Sequence, residues 1–132
     1  MLGFLSRWLP VVLWAAIILS AASDDFSEAN TRGWVDQVPV EAPKLLNTVI
    51  RKGGHIVGYA ILGLLAWRAR RSFGVALGVA LAVSIVDETL QSMTLTREGS
   101  PFDVLLDTCG ALLALTCVPA VRARLSSRRP WE

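Results

Sequence analysis

Charge is sorted along this chain by segment, and that most narrows what it can fold into. The apolar segments 8–22, 53–67, 72–86 and 104–121 total 63 residues and contain one charge, Asp107. The other 69 residues carry the remaining 23 charges. A soluble amphipathic helix repeats its charges at a period near 3.6 along its whole length. Here they are confined to the stretches between apolar runs. With 53% hydrophobic residues, the pattern argues against disorder and nucleic-acid binding, and for a small polytopic membrane protein.

The apolar cores are shorter than the ~20 residues of a perpendicular span. Each can be lengthened only through its polar flanks. The expected helices are then about 4–22, 48–67, 73–93 and 102–121, in one domain over residues 1–132. The fold class is all-α, a four-helix transmembrane bundle. Arg7, Arg68, Arg70, Arg71, Arg122, Arg124, Arg128 and Arg129 fall on one side, with Glu132 the only acid. The other side has five basic residues, Arg32, Lys44, Arg51, Lys52 and Arg97, and ten acidic ones. Basic residues in short loops mark the cytoplasm, so both termini are expected inside, with loops 23–47 and 94–101 outside. Trp8 and Trp67 sit at the cytoplasmic ends, as interface anchors do. Pro10 fits the first turn of helix 1.

Smaller features add little. Cys109 and Cys117 are separated by ~12 Å of helical rise, too far for a disulfide, and read as small buried apolar residues. Gly54-x3-Gly58 and Gly74-x3-Gly78 are patterns that permit close helix contact, expected within the bundle rather than between copies. The basic tail 122–132 reads as a topology anchor meeting anionic lipid. Arg7, an apolar run and Ser20-Ala21-Ala22 also resemble a signal peptide; the segment is read here as a retained span.

The polar flanks carry the functional signal. Ionisable groups inside spans persist when they face a protein interior and pair. Counting residues from the cytoplasmic Arg boundaries at 1.5 Å each puts His55 ~20 Å up, Lys52 and Asp87 ~24 Å, Asp107 ~22 Å and Asp103 ~28 Å. Three helices therefore bring ionisable groups to one layer near the outer face. Asp87 and Gln91, Asp103 and Asp107, and His55 and Tyr59 are i,i+4 pairs, and Glu88 and Gln91 are i,i+3, so each pair shares a face. Lys52 joins His55 if helix 2 runs through Gly53-Gly54. Full ionisation leaves a surplus of negative charge, which a proton on a carboxyl or on His55 relieves. Three readings stay open: a structural network fastening helices 2 to 4, a binding pocket for a ligand at the outer surface, and catalysis with His55 and Asp87 or Glu88 as acid–base pair. No metal site or cofactor is expected, since one histidine and several acids lack HExxH or paired-Cys spacing. Ser84 and Ser100 lack a nucleophile context.

The order Lys52-x-x-His55, Tyr59, Leu62-Gly63, then Asp87-Glu88-x-x-Gln91, then Arg97, Ser100, Asp103-Val104 and Gly110 resembles the VanZ-like family of small bacterial membrane proteins. The resemblance covers about residues 45–115 and the general layout of helix 1. One departure is Asp107, where the family is expected to carry Asn more often. The resemblance implies a protein of the bacterial cytoplasmic membrane, with Lys52, His55, Asp87, Glu88, Gln91, Arg97 and Asp103 matching the pattern and Tyr59, Asp107 and Gly110 in support. The family is named for a protein associated with resistance to teicoplanin, a glycopeptide antibiotic that binds cell-wall precursors. The expected partners are the lipid bilayer and a cell-wall precursor, lipid-linked sugar or glycopeptide, with no nucleic acid. An enzyme acting on an envelope lipid is the alternative, and a structural subunit or small transporter the third.

Overall fold

The computed structural model describes residues 2–21, 43–93 and 99–126. Four helices follow in order: α1 (Leu2–Ser20), α2 (Pro43–Arg70), α3 (Phe73–Ser92) and α4 (Pro101–Ser126). All four contain stretches long and apolar enough to cross a membrane: Gly3–Ser20, Thr48–Arg70, Phe73–Ser92 and Pro101–Val118. The boundaries differ from the sequence expectation mainly at α2 and α4. Residues 43–47, expected in the outer loop, belong to α2, and 122–126, expected in the tail, belong to α4. At 28 residues α2 is ~42 Å long, against ~30 Å of hydrocarbon, so its ends reach beyond the core. It runs unbroken through Gly53-Gly54, which aligns Lys52 with His55.

Local chemistry sets the remaining ends. Proline opens both α2 and α4, where a missing N–H costs nothing. Ahead of Pro101, Ser100 caps α4: its Oγ accepts from the Phe102 N–H at 3.2 Å and its carbonyl from the Asp103 N–H at 2.9 Å. Ser72 caps α3 through its Oγ, which accepts from the Val75 N–H at 3.4 Å. Only Arg71 and Ser72 separate α2 from α3, which makes the two antiparallel neighbours. Arg71 turns the chain with φ 57° and lays its guanidinium 4.5 Å from the centre of the Trp67 ring. Pro10 does not sit in the first turn, because α1 begins at Leu2 and continues through it, as membrane helices tolerate.

The bundle is inside-out relative to a soluble one. Exposed positions carry Leu5, Ile17, Val57, Ile85, Leu105 and Leu113, whereas buried ones carry Ala66, Ala76, Ala80 and Ala111 around Tyr59, Leu62 and Leu115. Lipid tails solvate Leu as well as another helix does, so close backbone approach drives packing instead. The approach is closest between α2 and α4. A Cβ on Gly63 would lie 3.1 Å from the Ala111 Cβ, and one on Gly110 would lie 2.6 Å from the Ile56 carbonyl oxygen. The paired-glycine patterns do not serve this role. A Cβ added to Gly54, Gly74 or Gly78 would meet nothing within 4 Å among the described residues, and one on Gly58 would meet only Ile18 of α1, at 3.9 Å. Helix α1 is pinned from the side: the Trp14 indole N–H donates to the Gly58 carbonyl at 2.9 Å. The expectation of buried cysteines also fails, since Cys109 and Cys117 are exposed on the outside of α4, on faces that Asp107, Gly110, Ala111 and Leu115 leave to the surroundings.

Candidate functional site

The polar residues gather where α2 and α4 begin and α3 ends. A cavity of about 160 Å³ lies there. Helix α2 lines it with Thr48, Arg51, Lys52 and His55, α3 with Glu88 and Gln91, and α4 with Asp103, Leu106 and Asp107. Every lining residue except Leu106 is polar. The charge pattern of the loops predicts this end of the bundle to be the outer one.

Two layers can be distinguished. At the mouth, the Lys52 ammonium donates to Asp103 Oδ1 at 2.9 Å and lies 5.5 Å from the centre of the Phe102 ring. Both partners of this pair keep partial exposure, 46% and 30% of their side chains. Such a pair orients the ammonium without locking it away. Below it, Asp87 and Asp107 are buried to 1% and 0% exposure. Asp87 Oδ2 accepts from the Tyr59 hydroxyl at 3.0 Å, and Asp107 Oδ2 accepts from the Ser84 hydroxyl at 2.9 Å. His55 stands between them, its Nδ1 3.4 Å from Asp107 Oδ1 and 3.8 Å from Asp87 Oδ2, and its ring stacks on Tyr59 at 6.4 Å. The depth count had put these three groups within ~4 Å of one another in height. Their ligand-type atoms lie within 4.8 Å.

Glu88 also joins two helices. Its carboxylate accepts from the Ser100 N–H at 2.7 Å, tying the end of α3 to the start of α4. Gly99 makes this approach feasible, because a Cβ there would collide with the Glu88 carbonyl oxygen. His55 therefore pairs with Asp107 and Asp87, while Glu88 faces the same cavity from its upper wall. Gln91 is buried on that wall, 5% exposed. Arg97 lies outside the described residues.

Two features of this end are not legible from local sequence. Ser84, which has no nucleophile context in the sequence, is fully buried as the donor to Asp107. The signal was present in its spacing: Ala76, Ala80, Ser84, Asp87, Glu88 and Gln91 form the buried stripe of α3. The second is a constellation of metal-ligand type, His55 with Asp87 and Asp107, where none was expected. Its members come from three helices, so no local spacing betrays it.

Four apolar helices closed around a polar end define a multi-pass membrane protein. The family model described as VanZ/LLP1 matches residues 6–122, and the chain belongs to that family. Comparison with curated proteins and with solved structures finds no match in either.

Proposed function

We propose that this VanZ-family protein recognises the polar headgroup of an envelope lipid, a cell-wall precursor or lipid-linked sugar that reaches the cavity from the outer leaflet. One observation carries the reading: a cavity lined by eight polar or charged residues and Leu106, built by three membrane helices, with the Lys52 ammonium held at its mouth by a partly exposed pair. Polar residues of this number are costly in spans and are kept where they meet something polar. Lys52 and Arg97 would meet phosphate or carboxylate; Glu88 and Gln91 would exchange hydrogen bonds with sugar hydroxyls or amides. At about 160 Å³ the cavity is smaller than the ~300–1,000 Å³ of drug-sized sites, so it suits one headgroup moiety rather than a whole glycopeptide. A resistance role of the kind carried by the family name would then act through the precursor.

The His55–Asp107 juxtaposition at 3.4 Å favours a second reading, acid–base chemistry on the bound headgroup. Native mass spectrometry of the purified protein tests both. Wild type is expected to retain a phosphate-bearing lipid, and Lys52→Ala to lose it while remaining folded. Equal retention of the same lipids by both would overturn the binding reading. Conversion of the bound lipid by wild type, absent in His55→Ala, would establish the second.

A further inference from the structure

Asp87 and Asp107 each keep one carboxylate oxygen that their hydroxyl partners do not fill. Each has one oxygen held, by Tyr59 and by Ser84. The other oxygen of each, Oδ1, takes no hydrogen bond among the described residues, although both side chains are buried. A buried carboxylate short of donors is strongly disfavoured and calls for a counter-charge. Lys52 is engaged by Asp103, and the ion-pair partner facing both acids is the His55 imidazole. Its separations of 3.4 and 3.8 Å exceed a good N–H···O bond, at ~2.7–3.2 Å. One ligand atom from each of the three residues lies within 4.8 Å of the others, so a small inward shift brings them to the ~3–4 Å between ligands that share one cation at ~2.0–2.2 Å.

We propose that His55, Asp87 and Asp107 bind a divalent transition-metal cation, zinc or manganese, at the floor of the cavity. An imidazole nitrogen with two carboxylates and no thiolate suits these ions. Ser84 holds Asp107 by the oxygen away from His55, and Tyr59 holds Asp87 by Oδ2, the oxygen facing His55, so both carboxylates are oriented as outer partners orient metal ligands. Three protein ligands leave coordination positions open toward the cavity, where Lys52, Glu88 and Gln91 stand. The site stands on its own geometry and does not require the headgroup reading. Where both hold, the ion adds positive charge facing an anionic headgroup.

The test uses the full chain in detergent micelles, purified on a histidine-free tag, with the exposed thiols removed by Cys109→Ser and Cys117→Ser. Chelator-stripped protein is equilibrated with zinc or manganese chloride alone, without added lipid. Elemental analysis after gel filtration is expected to find one ion per chain. Pulsed electron paramagnetic resonance of the manganese sample is expected to show coupling to one imidazole nitrogen. The chain has one histidine, so that signal reports His55 directly in folded protein. Tyr59→Phe and Ser84→Ala are expected to weaken binding about 10–100-fold, and Asp107→Asn to abolish stoichiometric retention. Ion content no higher than that of the stripped protein, or a bound ion with no nitrogen coupling, would overturn the site. Headgroup binding is measured separately on stripped protein, so failure of either proposal is visible apart from the other.

Discussion

Single residues in this bundle differ in consequence according to whether their polar atoms have a substitute. Ser84 and Lys52 make the contrast. The Ser84 hydroxyl is a fully buried donor to the buried Asp107 carboxylate. Ser84→Ala is expected to cost about 1–3 kcal/mol, since it strips a donor from a buried carboxylate. Lys52 pairs with Asp103 where both remain partly exposed, so Lys52→Ala is expected to cost under about 1 kcal/mol. Denaturant unfolding in micelles, followed by tryptophan fluorescence, measures both. The charged residues were legible in the sequence because each is conspicuous in an apolar run. Ser84 was not, because a neutral serine inside the segment 72–86 looks like any other small membrane residue. Only its place in the buried stripe of α3, four residues after Ala80 and three before Asp87, reveals it.

At the scale of helices, the decisive surfaces are those where backbone meets backbone. Gly110 and Gly63 let α4 and α2 approach, and their tolerance should follow the space around them. Gly110→Ala would press a methyl group to 2.6 Å from the Ile56 carbonyl oxygen, and is expected to destabilise by about 1–3 kcal/mol. Gly63→Ala meets a side-chain methyl at 3.1 Å and should cost less. Gly78→Ala, with nothing within 4 Å, should be neutral or stabilising by up to ~1 kcal/mol through helix propensity. Thermal unfolding of the three variants in one detergent ranks them; equal losses would refute the assignment of α2–α4 as the tight crossing. The two paired-glycine patterns had looked like the packing surface. A pattern along one helix cannot say what stands opposite it, and a Cβ added to three of those four glycines would meet nothing within 4 Å among the described residues.

At the scale of the molecule, orientation follows from loop charge, and the position of the cavity follows from orientation. Cysteines introduced by Ser27→Cys and Ser127→Cys, in a background lacking Cys109 and Cys117, test this. A membrane-impermeant maleimide should label the first in intact cells and the second only after permeabilisation. The opposite pattern would place the cavity on the cytoplasmic side and remove the outer-leaflet route proposed above. Membership of the VanZ/LLP1 family covers all four helices, so the cavity-bearing helices and α1 are one unit of description.

The amino-acid sequence alone determines the number of spans and the layer in which the ionisable groups lie. Both depend on quantities that run along the chain, the length of apolar runs and a rise of ~1.5 Å per residue. It does not determine which group meets which. Rotation of each helix about its own axis decides that, and rotation is set by small-residue contacts between helices, such as Gly110 against Ile56 and Gly63 against Ala111. Those contacts bring Asp107, the lone charge of the apolar segments, to the imidazole of His55, and the close approach of Gly99 to the end of α3 lets Glu88 reach the Ser100 N–H.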